Sequence, residues 1–285
     1  MSANKPAVSI VIPAHNEEAV IQASLRRLLA TTGPGEFDVV VVPNDCRDRT
    51  AEIARAVGVR VIETRIGGKA HALKLGDEAC ATFPRVYLDA DVEMTADGIR
   101  ALAAATDEPD VLAVAPALRL DMEHVSGFMK RVHRVHDSLV APNRALAGVG
   151  CYVLTKEGHA RVFPMPEDVI SDDGWVHASF APHERTVVPA AHTVVRPART
   201  VRAYLNRRVR VRQGNQQLAA LGRSYPEGRL GPRSLVALVS GRRVGLLDAG
   251  CYLTVLAVDR LLTRVRGGRT TWGADVSSRA GAGRS

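Results

Sequence analysis

The first hundred residues alternate short unbroken apolar runs with longer stretches whose apolar residues recur at helical spacing. Residues 8–13 (VSIVIP), 37–43 (FDVVVVP), 59–63 and 85–89 (RVYLD) read as strands, and 17–30, 49–57 and 71–82 as the helices between them. Strands that are apolar on both faces, separated by helices, predict a parallel sheet covered on both sides. Such a doubly wound α/β unit binds ligands in the crevice at the carboxyl ends of its strands. Three polar clusters fall there: His15-Asn16-Glu17, Asn44-Asp45 and Asp89-Ala90-Asp91.

The second half is less regular. Residues 111–120, 146–154 and 187–195 read as strands, 127–140 as a helix carrying Lys130, Arg131, His133, Arg134 and His136, and 203–221 as a basic helix. Residues 244–262 are strongly apolar, but Asp248, Asp259 and Arg260 interrupt them, so no uncharged run is long enough to span a bilayer. The pattern predicts an interfacial or partner-binding helix there. Residues 267–285 are Gly, Ser and Arg with little apolar content and read as a disordered tail. The expected division is a main domain over 1–222, a basic and apolar helical appendage over 223–266, and the tail over 267–285.

Composition changes this picture in one respect. The net charge of +8 is unevenly spread: residues 196–285 hold 18 arginines against 4 acids, whereas the rest of the chain is net acidic. An acidic body beside an Arg-rich end suits a metal-holding core and a surface facing phosphate, on substrate or on lipid. Cys46, Cys80, Cys151 and Cys251 lie far apart and read as reduced, mostly buried thiols. With no leader pattern before the first strand, the expected location is cytoplasmic, with peripheral contact at the inner face of the membrane as an extension of it.

Two acidic pairs carry the candidate chemistry. Asp89 and Asp91, at a strand end, form a DxD arrangement of the kind that seats Mg²⁺ or Mn²⁺ through hard oxygen ligands and leaves positions for substrate phosphates. Asp172 and Asp173 are adjacent, and their repulsion raises the pKa of one, as general-base work requires. The alternative for the second pair is a helix N-cap before Trp175-Val176. Arg207 and Arg210 share one helix face and suit a bidentate grip on a diphosphate, the alternative being a solvated charged face.

In order and spacing, VSIVIPAHNEE, VVVVPNDCRDRTAEIA, GGKAHALKLGDEA and VYLDADVEM resemble the nucleotide-sugar-binding half of glycosyltransferase family 2. VISDDGWV resembles that family's acidic pair, and RRVRVRQGNQQL its basic helix motif. The resemblance implies a GT-A fold: a Rossmann-like, mostly parallel sheet with helices on both faces, followed here by the basic helical C-terminal segment. It implies an inverting, metal-dependent transfer of sugar from a UDP- or GDP-type donor to an acceptor that no motif specifies. Pro13, Ala14 and Glu17 would border the nucleotide, Asn44 and Asp45 would lie in the base-reading loop, and Lys69 would approach the donor from the Gly67-Gly68 loop. Asp91 would ligate the metal, with Asp89 on the ribose or a metal-bound water. Asp173 would deprotonate the acceptor, and Asp172 would position it. The sequence departs from the pattern at Pro43-Asn44, where an acid is often found, and at Lys74, where Asn is often found. The choice of base therefore stays open, and Asp45 and Asp48 could instead form a turn and a helix cap.

Other classes fit less well. A glycoside hydrolase has no use for a nucleotide-type α/β half, and a nucleotidyltransferase would show a Gly-rich phosphate loop after the first strand, where AHNEE has none. An inactive glycosyltransferase-like scaffold, or a basic module on anionic membrane or nucleic acid, is the non-enzyme alternative. Five Phe and five Tyr are few for base stacking, so no nucleic-acid partner is expected.

Overall fold

A computed structural model describes residues 7–141, 144–223 and 232–265. The expected tail at 267–285 lies outside the described residues, as do residues 224–231 of the expected appendage.

Seven strands form one mixed sheet in the order β3-β2-β1-β4-β6-β5-β7. The N-terminal strands β1 (Val8–Ala14), β2 (Phe37–Pro43), β3 (Arg60–Val61) and β4 (Arg85–Leu88) run parallel, with Ile10 opposite Val39 and Val86. Helices α1 (Ile21–Leu29), α2 (Thr50–Val57) and α3 (Lys69–Ala79) connect them. β1 is buried along its whole length because both its faces are covered. Ile10, Ile12 and Ala14 face a cluster with Leu25, Leu28 and Ile99, while Val11 faces the opposite cluster with Leu73 and Tyr87. Each such isoleucine, fully withdrawn from water, stabilises the sheet by about 1.5–3 kcal/mol.

Beyond β4 the pattern breaks. Helix α4 (Ala96–Ala104) leads to β5 (Ala113–Leu120), α5 (Gly127–Val140) and β6 (Cys151–Leu154). β6 inserts antiparallel between β4 and β5, pairing Tyr87 with Tyr152 and Leu88 with Cys151. The strand expected over 146–154 is thus shorter, because Gly148 and Gly150 take φ of 73° and 71° and the chain turns there instead of extending. Short helices α6 (Lys156–Val162) and α7 (Asp172–Ala178) precede β7 (Arg185–Val195). Their few turns hold too little periodicity to stand out in the sequence.

The long helices α8 (Val201–Ala220) and α10 (Leu246–Val265), with α9 (Pro232–Ser240) between, build a helical layer against α5. Met129, Val132, Tyr204, Tyr252 and Val255 form its core. Two acids that interrupt the apolar run are its struts. Asp248 receives Arg131 and Arg134 of α5, each at 2.8 Å, and Asp259 receives Arg208 and Arg212 of α8 at 3.1 and 3.0 Å. Among the described residues no helix is long and apolar enough to cross a membrane. The four cysteines are free thiols; Cys80 and Cys151 are buried and the other two are half-buried.

Candidate active site

The carboxyl ends of β1, β2 and β4 meet as expected, and Asn44, at the end of β2, ties β1 to the Gly67-Gly68 loop. Its side-chain amide donates to Ala14 O at 2.8 Å, and its Oδ1 accepts from Gly68 N–H at 3.1 Å. His15 Nδ1 lies 2.7 Å from Asn44 O, the geometry of an N–H donated to the carbonyl. Asn44 is therefore a buried strut between the first loop and the Gly-Gly loop, a task for an amide that both donates and accepts. A carboxylate there could not donate to Ala14 O. The departure from the family pattern has a structural reason.

Around that strut, Pro13 and Ala14 end β1 in buried backbone. Glu17 is buried, and its carbonyl accepts from Val20 and Ile21 N–H at the start of α1. Asp45 is exposed at φ 45°, and Gly67 passes so close that an added Cβ would stand 3.3 Å from the Asp45 Cβ. Asp48 lies two residues before α2, and its Oδ1 accepts from Thr50 N–H at 3.0 Å at the start of that helix. Lys74 forms an ion pair with Glu167 at 2.7 Å.

Gly68, at φ 139°, swings the chain into α3 so that Lys69 opens the helix facing β4. Lys69 Nζ lies 2.6 Å from Asp89 Oδ1 and 3.0 Å from Asp172 Oδ2. The second contact is a charge contact without hydrogen-bond alignment, so Asp172 Oδ2, buried, has no hydrogen-bond partner. One ammonium thus bridges carboxylates 83 residues apart in sequence. Asp89 is placed by donating its N–H to Gly150 O at 2.9 Å, and Val92 N–H closes the next turn onto Asp89 O at 3.1 Å. Gly150 has to be glycine here, since an added Cβ would fall 2.5 Å from Val92 Cγ2. Asp91 follows within that turn and is half-buried.

The Asp172-Asp173 pair forms the first two residues of α7, with Ser171 at the N-cap position, so neither acid is the cap itself. Asp173 Oδ2 accepts from Gly148 N–H at 2.7 Å, and Oδ1 accepts from Ser171 Oγ and Gly174 N–H, both at 2.8 Å. Burial opposes its ionisation, but Lys69 and these three donors outweigh it and hold the carboxyl below the usual range. Asp172 goes the other way. Burial, with the neighbouring Asp173 and Asp89, raises it to about 6 despite Lys69. For Lys69, burial disfavours the charge, and the three surrounding carboxylates more than restore it.

Sequence reasoning passed over two contributors. Ser171 orients Asp173, and Tyr152 places a buried, unpartnered hydroxyl beneath the site, its pKa raised well above normal by burial first and by the nearby Asp172 next. Ser171 stands within VISDDGWV beside the acids that drew the attention, whereas Tyr152 stands in no motif and is brought in by the antiparallel pairing of β6 with β4.

Of the basic helix, Arg208 and Arg212 are committed to Asp259, while Arg207 and Arg210 are exposed. One turn beyond Arg210, Gly214 abuts Ser171, where an added Cβ would stand 2.9 Å from the Ser171 Cβ. Arg210 therefore projects from the helix face that packs on the acidic pair. Arg207 lies near the buried His133 and the half-buried His136, and its charge adds to the effect of burial in lowering both. Those histidines pack edge-on to Tyr204 in the helical core. His192 sits on β7 opposite Ala117. Two surface cavities, of 430 and 360 Å³, contain none of these candidate acids.

The fit of a divalent ion can be judged from this donor set. Asp89, Asp91 and Asp172 offer hard carboxylate oxygen, and Lys69 already shows a single cation seated between two of them. Among the described residues no group of three or more His, Cys, Asp or Glu is arranged to enclose a metal. The site fits an ion that shares its ligands with a bound diphosphate, and it does not form a closed protein cage.

The chain is similar in fold to a mannosyltransferase of Pyrobaculum calidifontis solved with GDP-Man and Mn²⁺, at 19% identity and a TM-score of 0.59, covering 93% of this chain and 82% of that one. It is similar also to glucosyl-3-phosphoglycerate synthase of Mycobacterium tuberculosis solved with Mn²⁺, UDP and phosphoglyceric acid, at 18% identity and a TM-score of 0.56, covering 78% of this chain and 80% of that one. The fold is GT-A. Residues 9–147, just under half the chain, match the family model for Glycosyl transferase family 2. Among curated proteins, a 4,4'-diaponeurosporenoate glycosyltransferase of Staphylococcus haemolyticus is 33% identical over 94 residues, 30% of this chain and 24% of that protein. An undecaprenyl-phosphate 4-deoxy-4-formamido-L-arabinose transferase of Pseudomonas fluorescens is 36% identical over 106 residues, 34% and 31% respectively. The chain spans about a quarter to a third of the length of these relatives.

Proposed function

We propose that this protein is an inverting glycosyltransferase that moves a sugar from a UDP- or GDP-type donor to an acceptor hydroxyl or phosphate. The observation that carries the reading is the meeting of Lys69, Asp89 and Asp172 at the carboxyl ends of the parallel strands. Three carboxylates around one ammonium leave negative charge in excess, which suits a crevice completed by cations arriving with a diphosphate. The family match over residues 9–147 and the GT-A fold support it.

In this reading the base lies between Asp45 and the first loop, and the diphosphate lies against Lys69, with Arg210 approaching from α8. Asp91 and Asp89 would hold Mg²⁺ or Mn²⁺, which supplies positive charge opposite the departing diphosphate. The Asp172-Asp173 pair takes the acceptor proton as the acceptor oxygen attacks the anomeric carbon. The bond to the diphosphate breaks on the opposite face, and the configuration inverts. Asp173 is the base by resemblance and is the more accessible of the two; Asp172, raised to about 6, is the stronger proton acceptor in this arrangement.

The test is calorimetric titration of UDP, GDP, TDP and CDP into the protein and into Asp91→Ala, with and without Mn²⁺. Metal-dependent binding of one nucleotide, weakened at least about tenfold in the variant, is the expected result. No nucleotide binding to folded protein would sink the reading.

A further inference from the structure

Helix α10 has two faces of different character. Asp248, Tyr252, Val255 and Asp259 recur on its inward face, buried against α5 and α8. On the outward face Leu246, Leu253 and Leu261 stand 79%, 50% and 64% exposed, flanked by Leu247 and Val258. From α9, Val236 adds a further exposed apolar side chain. Aliphatic side chains at such exposure along about 23 Å of helix form an ordered stripe, unlike the scattered leucines of an ordinary surface.

The charge around this stripe has one sign. Arg233, Arg242, Arg243 and Arg260 are exposed along α9, the following turn and α10. The acids of this segment, Asp248 and Asp259, are buried and held by two arginines each from the neighbouring helices. The outward face therefore combines aliphatic side chains with arginines and, among the described residues, presents no negative charge to solvent.

We propose that the outward face of α9 and α10 seats this protein on an anionic phospholipid surface, with α10 lying in the plane of the interface. Leucines entering the acyl boundary and arginines meeting lipid phosphates are the two attractions that hold an interfacial helix. The composition selects this occupant over others. A second copy would bring the same arginines and no acid to meet them. A nucleic acid would call for exposed aromatic rings, and the aromatic residue of α10, Tyr252, is buried.

Flotation of the full chain with vesicles of phosphatidylcholine, with and without phosphatidylglycerol, tests this. At about 0.1 M salt the protein is expected on the anionic vesicles and largely absent from the neutral ones. Leu253→Asp with Leu261→Asp, and separately Arg243→Glu with Arg260→Glu, should each weaken partition by about tenfold or more. These side chains are exposed, so the melting temperature should be unchanged, and Leu253→Ser with Leu261→Ser provides a milder pair. Absence of binding to anionic vesicles would overturn the proposal. So would binding that survives both leucine pairs, or a dimer in ultracentrifugation that the leucine variants dissociate while vesicles capture nothing.

Discussion

Two regions of this molecule gather aspartates around cations, and they differ in the ratio of cations to carboxylates. In the helical layer, Asp248 and Asp259 each meet two arginines. In the crevice, Asp89, Asp172 and Asp173 share Lys69. The first arrangement is complete: the hydrogen bond from Arg134, with that from Arg131, holds Asp248 below the usual carboxylate range in spite of burial. The second is short of positive charge, and burial, with Asp173 and Asp89 beside it, raises Asp172 to about 6. A carboxylate with more cations than it needs ties helices together. One with too few stores unfavourable charge that a cationic ligand relieves, so the deficit marks the site.

That contrast is broken most directly through catalysis. Asp172→Asn and Asp173→Asn should each lower release of nucleoside diphosphate from the donor selected by calorimetry by about hundredfold or more, with the nucleotide still bound. The limb of the pH–rate profile near pH 6 should vanish in whichever variant has lost the base. Retention of full activity in both would remove the pair from the mechanism.

A smaller effect should appear in stability, with opposite signs in the two regions. Asp248→Asn leaves Arg131 and Arg134 without their carboxylate and should cost about 1–2 kcal/mol, at the lower end because both arginines are partly exposed. Asp172→Asn should instead stabilise the protein at neutral pH by about 1–3 kcal/mol. Denaturant unfolding of the two variants decides it, and a loss in both would show the crevice to be as well neutralised as the clamp.

The smallest effect is its pH dependence. Because the folded pKa of Asp172 lies above its unfolded value, the native state keeps the proton longer. Its contribution falls as pH rises from about 4 to about 6 and is constant beyond. The gain in Asp172→Asn should open over that window. For Asp248, whose folded pKa is lowered, the stabilisation is present at neutral pH and is lost as the pH falls through that folded value. A gain in Asp172→Asn that did not change between pH 4 and 6 would argue against the raised pKa.

Much of this was legible without coordinates. The parallel half, from β1 to β4, follows from unbroken apolar runs because a strand covered on both faces has to be apolar throughout. The polar clusters at the strand ends, with Lys69, Asp89 and the Asp172-Asp173 pair, were visible as chemistry. What the chain order hid was their arrangement. Asn44 read as a base-recognising residue, and only the approach of Ala14 and Gly68 makes it a strut. Arg207, Arg208, Arg210 and Arg212 of α8 look alike in sequence, and α10 divides them by claiming Arg208 and Arg212. Asp248 and Asp259 read as interruptions of an apolar helix until α5 and α8 supply their partners. Local periodicity is set by neighbours a few residues away, so sequence alone determined the elements and the kinds of chemistry they carry. Electrostatic pairing depends on distance through space, so tertiary structure alone decided which acids are neutralised and which are left for a ligand.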